Sequence, residues 1–458
     1  MTATAARRPQ TLATPRAWPV RASDLVALAV GNGFLIAAMW VRHGALDQLG
    51  TLSGVLTAAG QLTALLGTYL VLIQLVLMSR SPWLDQLFGV ERLANAHRWL
   101  GFASVVLIGG HGVLTTIGYA MGDRLAVTTE AWTLLTTYPF VLMATVGMGL
   151  FILVAVTSVR IARRRLSYET WYGLHLYAYL AVALAFAHQV VVGTDFSDDP
   201  VARIYWFVLL GLVAASFLAF RVGQPVALSW RHQLRVANVV RESPTVTSIY
   251  MTGRDLDRLP VRAGQYFLWR FLTHEGWWRA HPFSLSAAPN GDYLRVSVKA
   301  LGDWSSRLEE LPLGTRVFVE GPYGITTGTP RKRAAILLVA GGVGITPLRA
   351  LFESVPAPRG AITLIYRVSA PEDLALRREL DELARLRGAT VHYLVGRRGS
   401  PQMPSDPLAP AALQRLIPDV ASREVYVCGP DGMIATVRRS LQALRVPDRH
   451  IHVERFAY

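Results

Sequence analysis

Two rhythms of apolar positions divide the chain. Up to about residue 220, apolar residues run almost unbroken in six stretches: 25–41, 52–78, 93–119, 132–159, 171–192 and 201–220. Each is close to or longer than the ~20 residues a helix needs to cross about 30 Å of hydrocarbon. They predict an all-α bundle of six transmembrane helices over residues 23–222. Ahead of it, residues 1–22, with Arg7, Arg8, Arg16 and Arg21, form a basic tail. Arginines before an apolar run also fit a signal peptide, but no small-residue cleavage site follows 25–41, so this run reads as an uncleaved first helix.

Further on the rhythm shortens. Segments 234–240, 246–251, 265–271, 293–298 and 316–320 are too short to span as helices, and several alternate apolar with polar residues. They predict a small antiparallel β-barrel over residues 223–330. From residue 334, strands at 335–340, 362–366, 390–395, 424–428 and 451–454 alternate with helices at 347–355, 371–386, about 411–416 and 431–444. That alternation means a parallel sheet with helices on both faces, a Rossmann-like α/β domain over residues 331–458.

Composition sharpens the first half of this picture. A chain that is 52% hydrophobic is too apolar to lie wholly in water, and the arginines behind its net charge of +15 flank the apolar stretches or are scattered over the second half. The charge therefore reads as a topology signal with some attraction to lipid headgroups, not as a nucleic-acid footprint. Arg80 and Arg92 lie in one connection and Arg160, Arg163, Arg164 and Arg165 in another, while the remaining connections hold Asp47, Asp123, Glu130, Asp195, Asp198 and Asp199. This places both termini in the cytoplasm of a cell with the bundle in its inner membrane. The single cysteine, Cys428, excludes an intrachain disulfide, a cysteine-ligated iron–sulfur cluster and a Cys-x-x-Cys-His haem attachment.

Chemistry concentrates in three places. His97 and His111 lie in the third apolar stretch, and His175 and His188 in the fifth, where ionisable side chains are costly. Steps of fourteen and thirteen residues amount to ~21 and ~20 Å along ideal helices, so two imidazole pairs stand at matching depths. Two such pairs could clamp two b-type haems, leaving no open axial site, or serve as interhelical hydrogen bonds or a proton relay. At 100° per residue, however, a thirteen-residue step lands about 140° around the helix, which calls for a bulge or kink in the fifth helix. The second place is the run 335–347, where an apolar strand meets Gly341, Gly342 and Gly344 before Thr346 and Pro347 open a helix: a turn able to cradle a pyrophosphate. Arg367, Arg397 and Arg398, just past two strands, suit a phosphorylated ribose and favour NADPH, with NADH as the alternative. Third, Cys428 closes a strand, where it is either a small buried apolar residue or a group bordering the nicotinamide.

Taken together, His281-Pro282-Phe283-Ser284 with Ser286 two residues on, the 299–305 segment KALGDWS, GPYG at 321–324, GGVGITP, CGPDGM at 428–433 and the ending Glu454-Arg455-Phe456 resemble the NADPH oxidase and ferric reductase family. In that family a six-helix, two-haem membrane domain is fused to a ferredoxin-reductase-like flavin and nicotinamide module. The resemblance implies that Phe283 and Ser284 meet FAD with His281 and Pro282 beside them. It implies that Lys299 and the Gly302, Asp303, Trp304, Ser305 turn hold the FAD pyrophosphate, that Cys428, Gly429 and Pro430 border the nicotinamide, and that Phe456 covers the flavin. Tyr458 competes for that last role. The implied activity passes electrons from NADPH through FAD and two haems to an acceptor outside: oxygen, giving superoxide, or a ferric chelate, or a periplasmic redox partner. Where family oxidases place a further histidine near the outer haem, this chain has Thr115, and the midpoints between the histidines are Ser104 and Ala181. Arg42 and His43 could supply charge near the acceptor or anchor a helix at lipid headgroups.

Overall fold

A computed structural model describes residues 20–455, apart from 198, 275, 329, 330, 398, 401, 402 and 404. The chain forms two compact units, one ending at Val222 and the other starting at Gly223.

The first unit contains six helices long and apolar enough to span a membrane. They are α1 (Ala22–Arg42), α2 (Leu52–Leu77), α3 (Val90–Gly122), α4 (Val141–Ser158), α5 (Tyr168–Val192) and α6 (Pro200–Leu218). The fourth stretch differs from the expectation of one helix over 132–159. It breaks at Tyr138-Pro139-Phe140 into a short helix, Val127–Thr137, and α4. Proline disfavours helical backbone in the residue before it, so Tyr138 is extended at ψ 133°, and Phe140 turns left-handed at φ 62°.

Small residues set how closely these helices approach. A Cβ on Gly60 of α2 would lie 2.6 Å from Thr115 Cγ2, and one on Gly67 would lie 2.7 Å from Ile108 Cγ1, so α2 and α3 touch along their backbones. α4 packs on α5 in the same manner, while α3 and α5 face each other without backbone packing. At the end of α1 the expected free charges are tied down. His43 Nδ1 is 2.6 Å from Asp195 Oδ1 and its Nε2 2.5 Å from Asp199 Oδ2, and Arg42 also pairs with Asp199. These contacts staple α1 to the start of α6, while the Arg42 side chain stays about half exposed.

The second unit opens with α7 (Gln224–His232) and a barrel of six strands: β1 (Arg235–Ser243), β2 (Val246–Thr252), β3 (Tyr266–Phe271), β4 (His281–Ser284), β5 (Leu294–Lys299) and β6 (Val317–Tyr323). They form two three-stranded antiparallel sheets, ordered β1-β2-β5 and β4-β3-β6. Single bridges at Arg235–Arg316 and Leu285–Val296 join the sheets along both seams. The two inner faces share one core around Phe267, Trp269, Phe271, Ile249 and Val296. β4, the HPFS segment, is a strand that the alternation of residues did not reveal, because its exposed Pro282 interrupts the pattern.

Next come five parallel strands in the order β11-β10-β7-β8-β9. These are β7 (Ile336–Gly341), β8 (Ile362–Val368), β9 (Thr390–Val395), β10 (Glu424–Cys428) and β11 (Ile451–Glu454). Helices α8 (Ile345–Ser354), α9 (Arg377–Arg387), α10 (Pro410–Leu416) and α11 (Asp431–Ala443) connect them. The helix expected over 371–386 is shorter than its hydrophobic pattern suggests. A 3-10 turn, Pro371–Asp373, precedes α9, and Leu376 between them is left-handed at φ 59°. The reason is tertiary: Ala375 and Leu376 turn to bury themselves against Val246 of the barrel.

A buried ion network also joins barrel to sheet. Arg295 of β5, 2% exposed, forms a two-pronged pair with Glu379 of α9, at 2.6 Å to Oε1 and 3.0 Å to Oε2. Its remaining donors go to the Ser286 hydroxyl and carbonyl and the Tyr250 hydroxyl. Arg349 of α8 reaches Glu379 at 2.9 Å and pairs with Glu353, whose Oε2 accepts the Ala288 N–H at 2.7 Å. Burial alone would raise the Glu379 carboxyl, but hydrogen bonds and charge from Arg295 and Arg349 hold it below its ordinary 4.5. Its contribution to stability is therefore complete above that value and lost as pH falls through the lowered one. Glu379→Gln leaves two arginines facing a neutral amide, at a cost of about 3 kcal/mol, because the partner charge stays buried. In thermal unfolding of the full chain in detergent, we expect the variant to melt below wild type at neutral pH. The two curves should converge in acid.

Candidate functional site

In the membrane unit the four histidines meet as two pairs. The His97 and His175 rings lie 5.9 Å apart centre to centre, and the His111 and His188 rings 6.4 Å apart. Two imidazoles holding one ion from opposite sides at ~2.0–2.1 Å put their ring centres about 6 Å apart, and both pairs meet that spacing. The bulge expected in the fifth helix is absent, since α5 is α-helical throughout. Side-chain direction and the crossing of the helices bring both rings to their partners.

Hydrogen bonding orients two of these rings. His111 Nδ1 stands 3.0 Å from the Gly60 carbonyl, which can only accept, so the proton is on Nδ1 and Nε2 keeps its lone pair. His175 Nδ1 contacts Ser158 Oγ at 3.4 Å, and Trp171 Nε1 donates to the same oxygen at 3.3 Å. Trp171 also packs against the His175 ring at 5.1 Å and under the Arg163 guanidinium at 4.7 Å. The other two, His97 and His188, each have a buried Nδ1 with no hydrogen-bond partner among the described residues. No cluster of three or more His, Cys, Asp or Glu side chains suited to a metal occurs among the described residues. A metal held by one of these pairs must therefore bring its other ligands, as a porphyrin does, and the absence of backbone packing between α3 and α5 suits a flat ring between them.

The flavin-like segment is built on β4. Trp269 Nε1 donates to the Phe283 carbonyl at 2.8 Å and fixes the strand from inside the barrel. On the outside, the Trp304 indole stacks on His281 with ring centres 3.5 Å apart and planes 15° apart, and Phe283 lies nearly parallel to both. His281, Phe283 and Trp304 thus form a half-buried aromatic platform beside exposed Pro282 and buried Ser284. The Ser305 hydroxyl accepts the Leu301 and Gly302 N–H groups, shaping the turn in which Asp303 opens a short helix. Ser286 is placed elsewhere: it is fully buried, and its hydroxyl is engaged by Arg295 and Ser297.

At the C-terminal end of the parallel sheet the glycines divide their work. Gly342 has φ +54°, and nothing lies within 4 Å of where its side chain would start, so this turn is open. Gly344 is a packing residue, since a Cβ there would lie 2.3 Å from the Cys428 carbonyl. Gly341 and Gly429 likewise press together beside Met433, next to Pro430 at the start of α11. Thr346 and Pro347 lie buried in the first turn of α8, with the Thr346 hydroxyl donating to the Val343 carbonyl at 3.0 Å. Cys428 is wholly enclosed; burial, aided by the Glu454 carboxylate, pushes its thiol well above the ordinary range. Lys299 lines a cleft with Gly342, Val343 and Thr346, its Nζ 3.1 Å from Asp373 Oδ1. Arg367 extends toward Met403 Sδ at 3.5 Å, and Arg397 is exposed after β9. Phe456, Tyr458 and Arg398 lie outside the described residues.

Sequence reasoning missed the Arg295 network, the Asp373 contact and the surroundings of His175. Arg295 did leave a signal, as a lone arginine in the otherwise apolar and small-residue strand LRVSV.

Comparison with known proteins agrees with this layout. The family described as ferric reductase like transmembrane component matches residues 63–186, an FAD-binding domain matches 233–327, and an oxidoreductase NAD-binding domain matches 338–439. A flavohemoprotein of Oceanobacillus iheyensis is 26% identical over 48% of this chain and 58% of its own. The ferredoxin reductase component of a 3-ketosteroid-9-alpha-monooxygenase of Mycolicibacterium smegmatis is 32% identical over 49% of this chain and 65% of its own. Ferredoxin–NADP reductase B of Sorangium cellulosum is 31% identical over 38% of this chain and 77% of its own. The chain spans about three fifths of the length of the first two of these relatives. With a membrane component, a flavin domain and a nicotinamide domain in one polypeptide, the chain belongs to the ferric reductase and NADPH oxidase family of membrane-spanning NAD(P)H oxidoreductases.

Proposed function

We propose that the protein carries electrons from cytosolic NADPH, by way of FAD and two b-type haems, to an acceptor on the outer face of the cell membrane, and that the acceptor is oxygen, released as superoxide. The observation that carries this reading is the pair of facing imidazole couples, with ring centres 5.9 and 6.4 Å apart, between α3 and α5. His97 with His175 and His111 with His188 would each hold one haem. When bound, FAD exchanges two electrons with nicotinamide and one at a time with haem iron.

The chain's own residues orient and shield. Gly60 fixes the His111 tautomer, so that ring offers Nε2 to a metal, and Ser158 contacts His175 on its Nδ1 side. The aromatic platform of His281, Phe283 and Trp304 suits a planar ring system, and the open side of Gly342, with Lys299 and Thr346, suits a nucleotide phosphate. Thr115, where family oxidases carry a histidine, donates its hydroxyl to the His111 carbonyl at 2.6 Å and packs against Gly60. It therefore offers no proton to an acceptor. One-electron outer-sphere reduction to superoxide needs none. The same observation leaves direct reduction of a ferric chelate as the second reading, in line with the family matched by residues 63–186.

Three outcomes test these statements. His111→Leu or His188→Leu should lower bound haem from about two to about one per chain and abolish outward electron flux, with FAD retained; an unchanged haem spectrum and flux overturn the reading. In wild type reduced anaerobically by NADPH, the haem absorption bands should shift and then revert when oxygen is admitted. In right-side-out vesicles loaded with NADPH, superoxide should be trapped outside without added iron, and superoxide dismutase should suppress any ferric-chelate reduction. Reduction that resists the dismutase identifies the chelate as the direct acceptor, and flux that appears only with an added periplasmic protein identifies a partner.

A further inference from the structure

The cleft beside Gly342 contains a feature that its assignment to a nucleotide does not explain. Its lining is largely apolar; the Thr346 and Tyr366 hydroxyls donate to the Val343 and Asp373 carbonyls, and the two charged groups are the Lys299 ammonium and the Asp373 carboxylate. Lys299 ends β5 with its ammonium partly exposed, and on the open side of Gly342 an incoming phosphate would find that ammonium already engaged by Asp373 Oδ1 at 3.1 Å.

Asp373 is held there by its surroundings. It closes the 3-10 turn Pro371–Asp373, and its carbonyl accepts the Ala375 N–H at 2.9 Å and the Tyr366 hydroxyl at 3.2 Å. The following residues, Ala375 and Leu376, are buried against Val246, whose register partner on β5 is Lys299 itself. The turn that interrupts the expected 371–386 helix thus delivers a negative charge to the one ammonium that lines this cleft.

We propose that Asp373 sets the affinity and selectivity of this cleft by acting as an internal anion: its carboxylate occupies Lys299 in the empty protein, and nucleotide binds by displacing it. The proposal rests on reading the cleft as the nicotinamide-nucleotide site, with Lys299 facing Gly342 there and not the FAD pyrophosphate that the family resemblance implies for it, and adds a competitor to it. A diphosphate carries more charge than a carboxylate and can also take backbone N–H groups from the Gly342 turn. Small monoanions have neither advantage, so the cleft rejects them. The opposite role, in which Asp373 merely positions Lys299 for phosphate, predicts an effect of opposite sign.

Equilibrium dialysis of NADP+ against the full chain in detergent distinguishes the two, with FAD content and thermal midpoint recorded for every variant. Asp373→Asn, which keeps the side chain's shape, should tighten NADP+ binding about tenfold, and Lys299→Met should weaken it at least about tenfold. In the Lys299→Met background there is no ammonium for nucleotide and carboxylate to compete over, so adding Asp373→Asn should change binding by less than about threefold. Asp373→Ala, measured in the same way, stands in if the asparagine variant does not fold. Unchanged or weaker binding in the Asp373 variants, with Lys299→Met still weakened, overturns the displacement alone. Unchanged binding in Lys299→Met overturns the placement of nucleotide in this cleft and the proposal with it.

Discussion

The buried guanidinium of Arg295 is the constraint on which the arrangement of the reductase half depends. A fully enclosed positive charge is tolerated only if every donor is met, and its partners come from the barrel and from α9, whose Glu379 also takes Arg349 of α8. Because Glu379 belongs to α9 and is shared with Arg349 of α8, and Ser286 follows the HPFS strand, satisfying this one charge fixes a flavin-type strand relative to the helix that follows a dinucleotide-type turn. Apolar contact between Val246 and Ala375–Leu376 adds to the join without fixing its orientation. Hydrogen bonds to a guanidinium are directional, so they supply the orientation.

The membrane half meets a related constraint by another route. Hydrocarbon gives helices little reason to associate, so contact depends on small residues and on the polar groups that helices share. Gly60 serves both purposes: it lets α3 approach closely, and its carbonyl orients His111. Packing and ligand chemistry are thus joined in one backbone segment. α2 packs chiefly on α3 and α4 on α5, and the histidine couples stand between the two helix pairs.

Much of this was legible in the residues. Six spans, a change of rhythm near residue 220 and the alternation of strands and helices follow from periodicities of 3.6 and 2, which burial imposes directly. The histidine pairs were legible because ionisable groups in apolar runs stand out. What escaped was decided by tertiary contact. Pro139 splits the fourth stretch; Leu376 leaves helical geometry to bury itself against the barrel; Ser286 looks like part of a cofactor motif yet supports Arg295. The thirteen-residue step on α5 misled in the other direction, because an ideal wheel ignores side-chain reach and helix crossing. Glycine-rich turns proved least transparent: Gly342 and Gly344 look alike in sequence, but one faces open space and the other a neighbouring carbonyl.

That packing against Gly344 has a consequence for how the protein tolerates its own chemistry. The same turn that abuts the Cys428 carbonyl lies beside a sulfur that no solvent reaches and whose ionisation is suppressed. Peroxides and electrophiles attack thiolates they can touch, so this sulfur starts no sulfenate and caps no glutathione. A sulfhydryl sealed in this way offers oxidants no point of attack while the domain stays folded, so Cys428 serves packing and not redox sensing.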